Sequence, residues 1–322
     1  MASEQVRTLG ADVGGTQITV LDSETGKVIP ISGGFPSMQE VTYYLLAEFA
    51  GTKRVYIGAA GVIMPGGIVK FTNRPWPPYD PSPFMVRGIA IRTGNDMEPK
   101  LAGLPDAEVA VVKKGKPQPK GRRVVVTVST GVGVAADVDG TTATSEGGHV
   151  TWQPMTETED DVLRFLRRSM GQRLVSVEDV IGGRHMWRLY EALRKVSNLA
   201  PSAEIEDAVQ ENLDQSKDIG PLVTGGALQG DAFCEQFMEI YGHVLGQWLR
   251  NLALTYLATG GIYLTGGVMT EGVTKYLFTG HALPEAFLGS PTHDELLRAV
   301  QIYQVIDPNL AAKGAFNLAM RM

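Results

Sequence analysis

Three glycine turns, each of which follows a β-prone run, are the features of this sequence best suited to binding phosphate. They span residues 12–16, 129–133 and 264–268. Glycine lets backbone N–H groups face one small space, and Thr16 adds a hydroxyl to the first turn. Asp12 could hold Mg²⁺ directly or through water, because this ion prefers carboxylates and retains waters. A single Gly-Gly turn is more typical of a hairpin without a ligand, so the evidence for phosphate binding is the repetition.

The composition restricts the class of protein. The chain has 322 residues, which predicts two domains and a sizeable core. A net charge of −6 argues against nucleic acid as a partner, whereas a nucleotide needs only local donors and a metal. The single cysteine, Cys234, excludes a disulfide framework and a multi-cysteine zinc site, and its apolar helical surroundings predict a buried thiol.

The N-terminal stretch and the apolar runs predict where the protein resides. Residues 1–20 contain Glu4 and Asp12 and no long apolar core. No segment has the roughly 18 uninterrupted apolar residues of a membrane span. We therefore expect no signal peptide, no membrane contact and a cytoplasmic protein.

The runs that flank the glycine turns predict a repeated unit. Residues 17–22 alternate polar and apolar side chains, so the first turn should close a tight hairpin. Residues 124–128 enter the second turn as a β-branched strand and residues 134–138 leave it, which repeats that order and predicts an internal duplication. The basic stretch 113–123 between strands is typical of a solvated hairpin loop.

Helices should dominate the second half. Thr156 and Glu159 have the spacing of a capping box at a helix start. The longest helix should run from about Asp231 to Ala258, where apolar residues recur at helical spacing. The histidines that lack metal-ligand spacing are predicted to be structural, and these are His185, His243, His281 and His293.

The sequence lacks Gly-x-x-x-x-Gly-Lys-Ser/Thr, which excludes a P-loop kinase, and it has no Gly-x-Gly-x-x-Gly after a strand, which excludes a dinucleotide fold. It instead resembles, along essentially its full length, the bacterial glucokinases, which are hexokinase-type members of the superfamily of actin, heat-shock ATPases and sugar kinases. The matching segments, in the order of the family, are Asp12-Val13-Gly14-Gly15-Thr16, Thr72-Asn73-Arg74-Pro75-Trp76, Asn95-Asp96, Thr130-Gly131-Val132-Gly133, Glu146-Gly147-Gly148-His149, Glu178 within a Ser-x-Glu-x-Val-x-x-Gly run, and Leu264-Thr265-Gly266-Gly267-Val268.

This resemblance implies an α/β protein with the two-domain ribonuclease H-like (actin-like ATPase) fold, a duplicated core and an interdomain cleft. Residues 1–106 plus 308–322 would form the small domain and residues 107–307 the large one. The implied reaction is phosphorylation of glucose at its 6-hydroxyl by ATP with Mg²⁺, giving glucose 6-phosphate and ADP. A homodimer is the implied assembly, and closure of the domains on the sugar would keep water from the phosphoryl group.

The resemblance also implies roles for individual residues. Asp96 would be the general base, and Asp12 would hold Mg²⁺. The phosphates and adenosine of ATP would be bound by Asp12, Gly14, Gly15, Thr16, Thr130, Gly131, Gly133, Gly266 and Gly267, and the sugar by Asn95, Asp96, Glu146, His149 and Glu178. The residue types agree with these roles, because sugar hydroxyls are both donors and acceptors and phosphoryl transfer needs positioning, charge neutralisation and one base.

Other interpretations of the same residues stay open. Asn95-Asp96 is by itself typical of an ordinary turn, residues 146–149 of a flexible loop, and Glu178 of a solvated carboxylate at a helix start. The acceptor could instead be mannose, an amino sugar or an acyl phosphate precursor, and a non-catalytic sugar sensor is a further alternative. The positions that depart from the usual family pattern are Gln17, Arg92-Thr93, Met97 and Val128-Ser129.

Overall fold

The structure is a computed structural model, and it describes residues 6–14, 17–71 and 74–322. The strands in these ranges are β1 (Thr8–Val13), β2 (Ile18–Asp22), β3 (Val28–Ile31), β4 (Arg54–Ala59), β5 (Gly61–Met64), β6 (Ile68–Phe71), β7 (Ala90–Asn95), β8 (Val109–Lys113), β9 (Arg123–Val128), β10 (Val132–Val138), β11 (Thr141–Ser145), β12 (Gly261–Thr265) and β13 (Ile302–Val305). The helices there are α1 (Met38–Glu48), α2 (Ser82–Met85), α3 (Met97–Gly103), α4 (Glu157–Met170), α5 (Val177–Ile181), α6 (Met186–Val196), α7 (Ala203–Asp214), α8 (Gly220–Leu228), α9 (Ala232–Tyr256), α10 (Glu271–Thr279), α11 (Ala282–Leu288), α12 (Asp294–Ala299) and α13 (Leu310–Met320).

Contacts between residues divide the chain into two units. The first comprises Met1–Glu108, Thr142–Thr144 and Ile306–Met322, and the second comprises Val109–Thr141 and Ser145–Val305. Among the described residues, none of the helices combines the length and the apolar character that crossing a bilayer requires.

The first unit contains a sheet with the strand order β3-β2-β1-β4-β7. β1 and β2 form the predicted antiparallel hairpin, and Val13 lies opposite Ile18. The N–H of Gly14 donates to the carbonyl of Gln17 at 3.0 Å, so the pairing of the hairpin continues one step beyond Val13 and Ile18, and the predicted tight turn at Gly15 and Thr16 lies outside the described residues. β4 and β7 continue the sheet in parallel from β1, which aligns the carboxyl ends of three strands at one edge.

The terminal helix α13 packs closely on β1 and α3 through glycines. A Cβ at Gly314 would overlap the carbonyl oxygen of Pro99, and a Cβ at Gly10 would overlap the backbone of Phe316. The amide of Asn317 donates to the carbonyl of Ala102 at 3.2 Å, which fixes the helix to the end of α3. Since α3 begins directly after Asp96, α13 supports the segment that carries the predicted base.

Most of the second sheet, which has the strand order β11-β10-β9-β12-β13-β8, belongs to the second unit. β9 and β10 form an antiparallel hairpin, and β12 and β13 extend from β9 in parallel. A hairpin strand followed by two parallel strands is the arrangement that the first unit also has. The repeated order confirms the predicted duplication and the fold class.

The interpretation of residues 113–123 as a hairpin loop is wrong, because β8 pairs with β13 rather than with β9. The ammonium group of Lys113, the last residue of β8, reaches the end of α12. It donates to the carbonyls of Leu297 at 3.0 Å and Val300 at 2.7 Å, near the end of α12. The basic stretch therefore begins with a lysine that caps a helix, and burial lowers the pKa of Lys113 to about 8.

Helix α9 is the core of the second unit. Asp231 caps its start by accepting from the N–H of Cys234 at 2.9 Å, close to the predicted first residue. Its apolar side chains are buried as the helical spacing predicted, and these include Phe233, Phe237, Val244, Trp248 and Leu252. Cys234 is buried too, and burial raises the pKa of its thiol to about 12.

The predicted capping box at α4 is only half correct. The hydroxyl of Thr156 accepts from the N–H of Glu159 at 3.2 Å, as expected. The Glu159 carboxylate instead lies 2.6 Å from Nδ1 of His243 and accepts from the N–H of Met155 at 2.7 Å. Both members of this ion pair are buried, and it raises the pKa of His243. His243 is therefore structural, since it joins α9 to the start of α4.

The packing of α13 predicts that Gly314→Ala destabilises the protein by about 1–3 kcal/mol or more, because the added methyl group has no space against Pro99. Urea or thermal unfolding measures this loss. Gly272→Ala in α10 is the matched control, since a Cβ there meets nothing within 4 Å and alanine favours a helix. Equal stability of the two variants would contradict the close packing of α13.

Candidate functional site

Asp12 and Asp96 lie at the carboxyl edge of the first sheet. The register aligns Asp12 of β1 with Gly58 of β4, and Gly58 with Gly94 of β7. Burial raises the pKa of the half-buried Asp12 carboxyl to about 6, Lys100 lowers it, and the negative charge of Asp96 raises it further. The structure therefore brings the predicted metal-binding and catalytic carboxylates into one electrostatic environment.

Hydrogen bonds to both neighbouring segments position Asn95 and Asp96. The N–H of Asp96 donates to the carbonyl of Ala59 at 3.1 Å, and the side-chain oxygen of Asn95 accepts from the N–H of Met97 at 2.9 Å. The side-chain nitrogen of Asn95 donates to the carbonyl of Gly61 at 3.5 Å. These hydrogen bonds fix the junction between β7 and α3, since β7 ends at Asn95 and α3 starts directly after Asp96.

Lys100 is a residue of this site that the sequence interpretation missed. Its ammonium group lies 3.3 Å from Oδ2 of Asp96, and its side chain is mostly buried. Asp96 and Lys100 are four residues apart at the start of α3, which is the spacing of a side-chain pair on one helix face. That spacing was the available signal, but the sequence predicted no helix there.

The first glycine turn is described only in part. Gly14 is described, and its carbonyl accepts from the guanidinium of Arg74. The guanidinium of Arg74 also lies over the ring of Trp76, 4.3 Å from its centroid, so these two residues of the matched segment pack together. The predicted residues that lie outside the described ranges are Gly15, Thr16, Thr72 and Asn73.

The second and third glycine turns meet in the second unit. The N–H of Val268 donates to the carbonyl of Val128 at 3.1 Å. Gly266 has a φ of +107°, and a Cβ there would overlap the Val128 carbonyl. Only glycine combines this conformation with so close an approach. The segment after α5 is bonded to the second turn, since the N–H groups of Gly183 and Arg184 donate to the carbonyls of Ser129 and Thr130 at 2.7 and 3.1 Å.

A cavity of about 760 Å³ opens beside these turns, within the size range of small-molecule sites. The predicted residues Thr130 and Gly267 line it, whereas Gly133 is paired with Thr127 inside the sheet. The sequence interpretation missed most of its other walls, because they come from α6 and from the segment that follows α7. The lining residues are Ser129, Thr130, Gly183, Arg184, Trp187, Leu213, Ser216, Lys217, Asp218, Ile219, Gly267 and Val268.

The predicted sugar-binding residues of the second unit differ in their surroundings. The side chains of Glu146 and His149 are 76% and 57% exposed, and their Oε2 and Nε2 atoms lie 3.9 Å apart. Glu178 is half-buried, and its carboxylate accepts from the N–H of Val132 at 2.7 Å. Space for that carboxylate depends on Gly131, where a Cβ would lie 2.7 Å from its oxygen. Glu178 is thus bonded to the second glycine turn and is not a freely solvated side chain.

The residues around Asp12 fit a magnesium ion that also binds substrate phosphates. Among the described residues, no three His, Cys, Asp or Glu side chains are grouped closely enough to hold a metal without other ligands. Mg²⁺ commonly uses one or two carboxylates together with phosphates and water. Asp12 is half-buried and close enough to Asp96 for their charges to repel, and a cation would relieve that repulsion.

The family model described as Glucokinase matches residues 9–322. The chain is 30% identical over 332 residues to the glucokinase of Marinobacter nauticus, with 98% of this chain and 97% of that protein covered. A solved glucokinase from an Antarctic psychrotroph has a TM-score of 0.76 at 22% identity and covers 99% of this chain and 100% of its own. A ROK family glucokinase from Streptomyces griseus, solved with glucose and AMPPNP, has a TM-score of 0.64 at 18% identity and covers 98% of this chain and 100% of its own. The two solved structures agree with the fold described above.

The raised pKa of Asp12 predicts that Asp12→Asn stabilises the ligand-free protein. A carboxyl with a pKa of about 6 in the folded state favours protonation, so its contribution to stability falls as the pH rises from about 4 to about 6. At pH 8 the variant should be more stable than the wild type by about 1–3 kcal/mol, and the difference should vanish near pH 4.

Urea unfolding in the presence of a chelator, between pH 4 and pH 8, measures this difference. Asp207→Asn on the exposed surface of α7 is the control and should change little. A destabilised Asp12→Asn variant at pH 8 would show that the ionised carboxylate has favourable partners in the folded protein.

Proposed function

The chain belongs to the glucokinase family, and we propose that it transfers the γ-phosphoryl group of ATP to the 6-hydroxyl of glucose, giving glucose 6-phosphate and ADP. The observation that carries this proposal is the position of Asp96. It follows the last residue of β7, which pairs in parallel with β4, it lies in the electrostatic environment of Asp12, and its carboxylate is 3.3 Å from the ammonium group of Lys100.

Asp96 is the general base in this proposal. Its carboxylate accepts the proton of the sugar 6-hydroxyl while that oxygen forms a bond to the γ-phosphorus of ATP. The bond between the γ-phosphorus and the bridging oxygen breaks in line, and ADP leaves with the electron pair. The hydrogen bond from the N–H of Asp96 to Ala59 holds the base at the strand end during this step.

Positive charge near Asp96 supports the transfer. Lys100 is placed to attract the phosphoryl oxygens, because its ammonium group lies at the carboxyl edge with no other described carboxylate within salt-bridge distance. Asp12 would hold Mg²⁺ with the phosphates, and the ion when bound neutralises phosphate charge. A phosphoryl group carries charge on three oxygens, so charge neutralisation is the main demand on these residues.

The cavity of the second unit is assigned to the nucleotide. Thr130 and Gly131 would face the phosphates, and Gly266-Gly267 would face the adenosine. Trp187 offers an aromatic surface to a base, and it is 40% exposed at the cavity wall. Arg184 and Lys217 line the same cavity and supply positive charge for phosphate. Gly133 contributes to this site only indirectly, because it is paired with Thr127 in the β9–β10 hairpin that carries the second glycine turn.

Sugar recognition is assigned to the polar residues on the two units. Asn95 and Asp96 belong to the first unit, and Glu146, His149 and Glu178 belong to the second. Amide, carboxylate and imidazole groups are the types that hydrogen-bond to sugar hydroxyls. The exposed Glu146 and His149 side chains are free to accept a ligand, whereas Glu178 already has one partner in Val132.

Assembly and location also belong to this proposal. The resemblance to the bacterial glucokinases supports a homodimer and a cytoplasmic enzyme. Sedimentation of the purified protein measures the first, and fractionation of the source cells measures the second.

A coupled assay of ADP release tests the function. Glucose, mannose, fructose, N-acetylglucosamine and acetate are compared as acceptors, with ATP and Mg²⁺. We expect the highest kcat/KM with glucose. Turnover with acetate and none with any hexose would overturn the proposal, and a clear preference for mannose or the amino sugar would assign the enzyme to another acceptor.

Asp96→Asn tests the base. The amide keeps the shape of the side chain but cannot accept the proton, so kcat should fall about 10²–10⁴-fold. Glucose binding, measured by calorimetry, should stay within about tenfold of the wild type. Unchanged turnover would show that another group accepts the proton.

A further inference from the structure

Two polar groups on α9 reach the two segments that carry the proposed sugar-binding residues of the second unit. The indole N–H of Trp248 donates to the carbonyl of Gly147 at 2.8 Å. The hydroxyl of Tyr241 donates to the carbonyl of Ile181 at 2.9 Å. Trp248 and Tyr241 are two helical turns apart, so they project from one face of α9. Neither residue has a side chain in the proposed site.

The bond from Trp248 reaches the backbone of a turn whose sugar-binding side chains are exposed. The carboxylate of Glu146 and the imidazole of His149 are largely exposed, so the segment between them is positioned through its backbone. Trp248 is 1% exposed, so its indole N–H depends on the Gly147 carbonyl for a hydrogen-bond partner. A Cβ at Gly147 would lie 2.5 Å from Cγ1 of Val134, so the turn also packs directly on β10.

The bond from Tyr241 holds the end of α5. Ile181 is the last residue of this short helix, where backbone carbonyls have no partner within the helix. Glu178 lies one turn earlier on the same helix. Tyr241 is fully buried, and burial raises the pKa of its hydroxyl, so the group remains a donor. Because α5 has only five residues, fixing its last carbonyl also fixes the residues of its single turn.

We propose that Trp248 and Tyr241 are positioning residues for sugar recognition, with α9 as the rigid element that holds the 146–149 turn and α5 at a constant separation. This inference rests on the proposed function, because the sugar-binding roles of Glu146, His149 and Glu178 belong to it. Trp248 acts through the backbone of Gly147, and Tyr241 acts through the backbone of Ile181. Both hydrogen bonds therefore position the side chains that recognise the sugar. Neither Trp248 nor Tyr241 contacts the sugar in this proposal.

Trp248→Phe is the direct test, because phenylalanine keeps an aromatic ring in the core and removes the N–H donor. We expect the KM for glucose to rise about 5- to 30-fold, while the KM for ATP stays within about twofold. Backbone amide exchange in residues 146–150 should become faster in the ligand-free protein. Tyr241→Phe should raise the KM for glucose in the same direction and speed exchange in α5.

The chain offers matched controls for both variants. Trp152 is 2% exposed in the same unit, and within the described part of the chain its indole N–H has no hydrogen-bond partner. Trp152→Phe therefore removes the same atoms without breaking a hydrogen bond. Tyr190 donates to the carboxylate of Glu206 at 3.0 Å, away from the 146–149 turn, so Tyr190→Phe is the control for the loss of a bonded hydroxyl.

The comparison of each variant with its control decides the proposal. A rise in the KM for glucose and faster exchange in Trp248→Phe, with neither in Trp152→Phe, supports it. A KM for glucose equal in the two variants, or an equal rise in the KM for ATP, overturns it. If Trp248→Phe does not fold, Tyr241→Phe and Tyr190→Phe decide it by the same criteria. If the wild-type protein phosphorylates no hexose, the proposed function fails, and amide exchange still shows whether Trp248 holds residues 146–150.

Discussion

The parallel register of the central strands is the constraint on which the rest of the structure depends. In the first unit it places Asp12, Gly58 and Gly94 side by side, so that Asp96 follows at the same edge. In the second unit it aligns β12 with β9, so that the turns after Val128 and Thr265 meet. Carboxyl ends of parallel strands gather at one edge, and residues far apart in the chain become neighbours there. A shift by one residue would move every one of these groups to the opposite face of its sheet.

The carboxyl edge of the first unit carries an electrostatic cost. Burial and the nearby Asp96 both disfavour the charged form of Asp12, and Lys100 offsets only part of this effect. An ionised carboxylate in this environment destabilises the folded protein at neutral pH. The same environment favours the binding of a cation together with phosphate. Such a conflict between stability and function is common at binding sites, where the ligand supplies the missing charge.

Helices that pack on the sheets hold the segments with the proposed site residues in place. α13 contacts β1 and α3 through glycines, so the segment after Asp96 has a fixed support. α9 is buried for most of its length and contributes Trp248, Tyr241 and the His243–Glu159 ion pair. The polar groups on this helix explain why residues so deep in an apolar core keep hydrogen-bonding side chains. Buried polar groups of this kind need partners, and here the partners are the backbone of two segments near the proposed sugar site and the start of α4.

The repeated strand-turn-strand pattern predicted the duplication, the resemblance to the bacterial glucokinases implied the fold, and the periodicity of α9 predicted its buried side chains. These features are local, since the period of a strand or a helix is written in successive residues. The pairing of β8, the partner of Glu159 and the ion pair of Lys100 with Asp96 were not predicted from the sequence. Each of them depends on a residue brought close by folding or by a helix that the local pattern did not indicate.

By itself, the sequence determined the types of residue available for the chemistry and the strands and turns that carry them, because glycine, aspartate and β-branched residues act on the backbone next to them. Only the tertiary structure decided which of these residues share a site. It joined the second and third glycine turns through the hydrogen bond from Val268 to Val128, bonded Glu178 to Val132, and formed a cavity with walls from α6 and the segment after α7. The physical reason is that hydrogen bonds and close packing between distant segments are set by the register of the sheets and the docking of helices, which no local pattern encodes.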